Sequence, residues 1–156
     1  MTNNDILRRL RYTFDFSDDK MIAIFASADC EVTRAQISDW MKKDDDESYK
    51  SLHDVNFASF LNGFINLKRG KREGEQPVPE KTLNNNIIFR KLKIALDYKD
   101  DDIIEVLKLQ DFRISKHELS AFFRNPSHGH YRLCKDQILR NFVYGLQKKY
   151  RDTEQA

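Results

Sequence analysis

Apolar residues recur at intervals of three and four along most of this chain, with charged and amide side chains between them. The first stripe is Ile6, Leu7, Leu10 and Phe14, with Arg8, Arg9 and Arg11 opposite. Met21, Ile22, Ile24 and Phe25 form a second, Ile37, Trp40 and Met41 a third, and Phe57, Phe60, Leu61, Phe64 and Ile65 a fourth. Each predicts a helix with one face turned to a core. Cap-forming residues stand at the starts: Asn3 or Asn4, Asp18 or Asp19, Thr33 with Gln36 as a capping box, and Asp54. No stretch alternates with the period of a strand.

The pattern is then written again. From Asn85 onward the chain repeats its first part at an offset of 82 residues without a gap, matching Asp29 to Asp111, Tyr49 to Tyr131, Asp54 to Asp136, Gly63 to Gly145 and Arg69 to Arg151. Repeats at a fixed period govern the architecture. The second copy predicts helices from Asn86, from Asp100 or Asp101, from Ser115 (a capping box with Glu118) and from Asp136. The expected fold is all-α: two tandem four-helix repeats, residues 1–69 and 85–152, forming a pseudo-two-fold bundle. A Pro- and Gly-containing linker, 70–84, joins them, and a tail, 153–156, follows. Gly63 and Gly145 interrupt strong helical patterns, where glycine costs about 1 kcal/mol relative to alanine. The expected reason is a close crossing of the two fourth helices, with a bulky neighbour inside the same repeat as the other reading.

Composition adds little. Of 156 residues 40% are hydrophobic and 33% charged, with a net charge of +2 that names no polyanionic partner. Residues 1–69 carry 10 basic and 12 acidic side chains, and residues 85–156 carry 14 and 10, so the second copy is the more basic. No apolar run reaches the ~18 residues of a membrane span, and Met1-Thr2-Asn3-Asn4-Asp5 does not read as a signal peptide, so a cytoplasmic protein is expected. Cys30 aligns with Phe112 and Cys134 with Leu52, the pattern of inert core thiols.

Candidate chemistry comes in three kinds. On the third helices Arg34, Ser38 and Lys42, repeated as Lys116, Ser120 and Arg124, form a basic–hydroxyl–basic stripe on a helix-turn-helix-like unit, which could hold phosphates. His128 and His130 share a loop and are the candidates for a metal, but no third ligand is spaced to join them. The repeated polar residues Asn3, Asn4, Arg8 and Tyr49, with Asn85, Asn86, Arg90 and Tyr131, could be two copies of one partner-binding patch. For the tyrosines the structural alternative is packing on the core with the hydroxyl bonded near Asp54 and Asp136. The repeated aspartates fit helix starts, apart from Asp15 and Asp97, which fall four residues after Arg11 and Lys93 as ordinary helical ion pairs. There is no phosphate-cradling loop, nucleophile elbow or metal-protease motif, so no enzyme and no cofactor are expected.

Several of these residues are familiar as a set. Asn-Asn-x-Ile opens each copy, Phe60-Leu61-Asn62-Gly63 leads to Lys68-Arg69-Gly70-Lys71, and Pro126-Ser127-His128 runs into Tyr131-Arg132-Leu133-Cys134-Lys135-Asp136. The whole chain, duplication included, resembles the YehS-like family of small bacterial proteins. That resemblance implies a cytoplasmic bacterial protein of tandem helical repeats with no established activity and no catalytic residues to carry over. A non-catalytic binding or adaptor module for a protein partner is the expected role, with nucleic-acid binding through the third helices as the alternative.

Overall fold

The computed structural model describes residues 1–152; the tail 153–156 lies outside the described residues. It contains α1 (Asn3–Phe14), α2 (Asp18–Ser27), α3 (Arg34–Met41), α4 (Asp54–Arg69), α5 (Asn85–Leu96), α6 (Asp100–Lys108), α7 (Lys116–Ala121) and α8 (Asp136–Tyr150), and no strand among the described residues. The helices are those that the apolar periodicity predicts, and the second four repeat the first.

The starts differ in detail from expectation. Thr2 caps α1 in a box with Asp5, Ser17 caps α2 and Asn84 caps α5, each one or two residues ahead of the expected cap. A hydroxyl or amide is better placed one residue outside the first turn, where its oxygen reaches the free amide two or three residues on. The box predicted from Thr33 forms as expected, whereas Ser115 caps α7 without completing its box, because the Glu118 carboxylate accepts from the Ser115 hydroxyl and not from its backbone amide. Asp54, Asp100 and Asp136 sit at the first helical position, behind His53, Lys99 and Lys135. There their charge meets the positive end of the helix without capping it.

Asp15 and Asp97 are not paired with the basic residue a turn before. Each ends its helix in the left-handed conformation, with φ of 56° in both. Arg11 turns instead to the Phe16 carbonyl and to Asp18, and Lys93 to Asp100. The two freed aspartates reach across the molecule: Asp15 pairs with Arg151 at 3.2 Å and Asp97 with Arg69 at 2.7 Å. These are one bond, made twice about the pseudo-two-fold axis.

The repeats join in the same crossed way. The principal contacts between them are α1 on α8 and α4 on α5, so the first helix of each repeat packs on the fourth helix of the other. This replaces the expected crossing of α4 with α8. The glycines serve the repeat they belong to. A Cβ on Gly63 would lie inside the envelope of the Ile24 carbonyl oxygen on α2, and one on Gly145 would come within 2.5 Å of the Val106 carbonyl oxygen on α6. Without side chains, α4 and α8 approach the backbone of their second helices. The result is a single core running through both repeats, from Leu7, Phe25, Phe57 and Phe60 to Phe89, Leu92, Phe142 and Leu146, all fully buried. Phe14 touches both Phe64 and Tyr150, bridging the halves.

Residues 70–84 form no regular element but are tied down as a strap. The Asn66 amide donates to Gln76, Glu80 pairs with Lys91 at 3.0 Å, and the Leu83 amide donates to Asp54 Oδ2 at 2.9 Å.

Candidate functional site

The repeated asparagines are structural clamps. Asn4 is 2% exposed; its Nδ2 donates to the carbonyls of Trp40 and Lys50, and its Oδ1 accepts from the Leu52 amide at 2.9 Å. Asn86 does the same with Phe122, Arg132 and Cys134. Each stitches the irregular segment before the fourth helix to the start of the first, because that segment has no ladder of its own to satisfy its backbone. Asn3 and Asn85 donate to the carbonyls of Leu52 and Cys134 and to Asp54 and Asp136. All four amides are thus used inside the fold. Asp54 and Asp136 are held by asparagine, not by the hydroxyls of Tyr49 and Tyr131. Those tyrosines close matching turns, their amides donating to the carbonyls of Asp46 and His128.

The third-helix stripes are divided. Arg34 pairs with Asp18 and Asp19, Lys42 with Asp39 at 3.9 Å, and Lys116 with Asp101 at 2.9 Å. The Lys42 ammonium also donates to Ser38, and the Ser120 hydroxyl donates to the His117 carbonyl. Lys42 lies just past the end of α3, and in the second copy the helix stops earlier, at Ala121, so neither Lys42 nor Arg124 is on its helix. Acids from α2, α3 and α6 thus neutralise most of both stripes. His128 and His130 lie with ring centroids 5.5 Å apart, His128 Nδ1 accepting from the His130 amide. No group of three His, Cys, Asp or Glu that could hold a metal occurs among the described residues. Cys134 is buried, and that burial pushes its thiol up to about 12, far from a reactive thiolate.

Arg8 and Tyr49 do share one site. They line a cleft of about 700 Å³ where α1 meets α8, beside Arg9, Tyr12, Lys43, Arg140 and Tyr144. With Asp5 and Asp44 also on its walls, the cleft gathers four cations, two carboxylates and three tyrosines. Arg9 is fixed: its guanidinium lies 3.9 Å over the Tyr144 ring and bonds Gln147. Arg8 is held by Asp5 at 2.6 Å. The Asp5 carboxyl is held below the usual carboxylate range: burial raises it, but the Thr2 amide and hydroxyl and the Arg8 charge together outweigh that. Arg140 is exposed and in no ion pair among the described residues.

The second copy builds its version differently. Position 87 is isoleucine where the first copy has Asp5, leaving Arg90 without an internal carboxylate, and the Nε of Arg124 is buried without an acceptor. Arg140, Tyr144 and Gln147 were not among the residues expected to bind. Their equivalents, Ala58, Asn62 and Ile65, share no chemistry with them. That divergence between copies on a helix otherwise well matched was the available signal.

Eight helices in two corresponding sets, with a mixed cleft at their junction and no assembled metal centre among the described residues, define a duplicated helical protein. Residues 3–70 and 85–152 each match the family described as protein of unknown function (DUF1456), and the chain belongs to that family. It is 43% identical over 147 residues, 94% of each chain, to the uncharacterized protein YehS of Escherichia coli (strain K12), as the sequence resemblance implied. No solved structure matches the chain. No helix among the described residues is long and apolar enough to cross a membrane.

Proposed function

We propose that this protein is a non-catalytic adaptor of the cytoplasm and that a protein partner seats in the α1–α8 cleft. The observation that carries this is the cleft's composition: arginine and tyrosine, drawn from both repeats, around a half-open space. Those residue types dominate the energetics of protein interfaces because they bring a large rigid contact area with a polar end. Arg140 adds an exposed charge able to steer an acidic partner. A photoreactive phenylalanine analogue in place of Tyr49 should crosslink one discrete protein in cells, and Arg140→Glu should abolish the product. Equal crosslinking from position 131, or indifference to Arg140→Glu, would sink this reading.

The nucleic-acid alternative draws support from the same walls, since cations beside aromatic rings suit single strands. It draws less from the third helices, whose Arg34 and Lys116 are met by carboxylates. Binding to single-stranded RNA or DNA that falls steeply with salt and is lost in Lys116→Glu/Arg124→Glu would favour it.

A further inference from the structure

Two basic positions recur between the copies while the acids that neutralise them do not. In the first repeat Arg8 is paired with Asp5 at 2.6 Å and Lys42 with Asp39 at 3.9 Å. Their counterparts are Arg90 and Arg124, so both cations are kept, and both are guanidiniums. The counterparts of the two acids are Ile87 and Ala121, which carry no charge. The acidic run Asp44, Asp45, Asp46 and Glu47 is likewise replaced, by Pro126, Ser127, His128 and Gly129. From Leu119 to Lys135 the second copy has no carboxylate side chain.

The fold brings the two guanidiniums to one place. Asn86 donates to the Phe122 carbonyl at 3.1 Å, the Phe89 ring lies 5.1 Å from that of Phe123, and the Lys93 ammonium lies 4.3 Å over the Phe123 ring. Arg90 stands between Asn86 and Lys93 on α5, one turn beyond Asn86, towards the segment that Arg124 continues. The same register in the first repeat carries the Arg8 guanidinium to the Lys42 carbonyl, 3.4 Å away. Neither Arg90 nor Arg124 has an ion pair or a side-chain hydrogen bond among the described residues, and both are half-buried. The Nε of Arg124 is closed off from solvent with no acceptor. Lys93 beside them is already paired with Asp100. A partly desolvated, unpaired charge is unfavourable, and an anion from solution relieves it.

We infer that the second repeat binds a phosphate dianion, free or carried at the end of a small molecule, between Arg90 and Arg124. Two guanidinium forks match the oxygen geometry of a phosphate and, together, its charge of about −2 at neutral pH. The first repeat binds none, because Asp5 and Asp39 already occupy its cations. The site shares no residue with the lining of the α1–α8 cleft and stands apart from the adaptor reading.

The probe is inorganic phosphate, titrated at constant ionic strength into the ¹⁵N-labelled full chain. Saturable shifts should fall on residues 86–93 and 122–125 and spare their counterparts, 4–11 and 40–43. Arg90→Gln and Arg124→Gln should each weaken binding about tenfold, the worth of one hydrogen bond to a charged group. Ile87→Asp should weaken it as much while raising thermal stability, since it restores the internal carboxylate; a loss of binding there is no sign of unfolding. Glycerol 3-phosphate in the same titration distinguishes the sources: tighter binding than phosphate identifies a small-molecule ester, and equal binding identifies the free ion. Shifts that appear equally in both repeats, that do not saturate, or that persist undiminished in Ile87→Asp overturn the inference. So does acetate that matches phosphate, or an oligonucleotide without terminal phosphates that moves these resonances while phosphate does not.

Discussion

Of the two seams between the repeats, the α4–α5 side is strapped and the α1–α8 side is open, although the helices that form them are copies. On the strapped side Asn62, Ala58 and Ile65 offer small or apolar surface, and Lys91 takes its carboxylate from Glu80 of the same chain. On the open side Tyr144, Arg140 and Gln147 occupy those positions, and Arg9 is stacked on tyrosine. Duplication supplied two equivalent surfaces, and the linker could cover only one. The one left uncovered is where the copies have diverged in chemistry, whereas the clamps and crossings beneath both are kept identical.

That contrast predicts which substitutions act alike in the two copies and which do not. The largest effect falls on the glycines. Gly63→Ala should cost about 3 kcal/mol or more in urea unfolding and Gly145→Ala somewhat less, because each new methyl meets a backbone carbonyl that cannot rotate away and the approach at Ile24 is the closer. Equal, negligible losses would show that the second helices move apart freely. Asn4→Ala and Asn86→Ala should each cost about 2 kcal/mol, since either leaves a buried amide and two carbonyls without their partner. Here the copies should agree, and a clear disparity would mean that one clamp is replaced by water.

Smaller effects should separate the copies. Ile87→Asp places at the third position of α5 the carboxylate that Asp5 supplies in α1, where it can complete a box with Asn84 and meet Arg90. A gain of about 0.5–1 kcal/mol in thermal unfolding is expected, with a loss of similar size for Asp5→Ile. Acid should act through the same residue. Asp5 has a folded pKa below its unfolded value, so its contribution is present above the unfolded pKa and is lost as pH falls through the folded one. Asp5→Asn should flatten that part of the stability–pH curve, and an unaltered curve would remove Asp5 from the account. Least of all, Arg69→Gln and Arg151→Gln should each lower stability only slightly in the same unfolding assay, less than any substitution above, because surface ion pairs are weak.

The residues that line the cleft are only half legible in the sequence. Arg8 and Tyr49 stand out by recurrence and do line the cleft, but recurrence also singled out Asn4 and Asn86, which are buried clamps. Recurrence selects whatever both copies need, and both copies need their internal hydrogen bonds first. Arg140 and Tyr144 recur nowhere, so a search for repeated residues passes over them. The caps were misplaced by a residue or two because Thr2 beside Asn3, Ser17 beside Asp18 and Asn84 beside Asn85 are all competent, and only the exit angle of the chain chooses between them.

What the sequence alone determines is local and periodic: eight helices, their buried faces, and the duplication, all set by side-chain spacing along one chain. What only the tertiary structure decides is how the halves cross. Gly63 marks a close approach without saying to what, and the spacing of Asp15 from Arg11 suggests a pair within α1 where the fold joins Asp15 to Arg151, 136 residues on. Those partners are fixed by packing one repeat's first helix on the other's fourth. A pattern within a repeat is silent about this choice, because it would be the same whether each repeat closed on itself or on its copy.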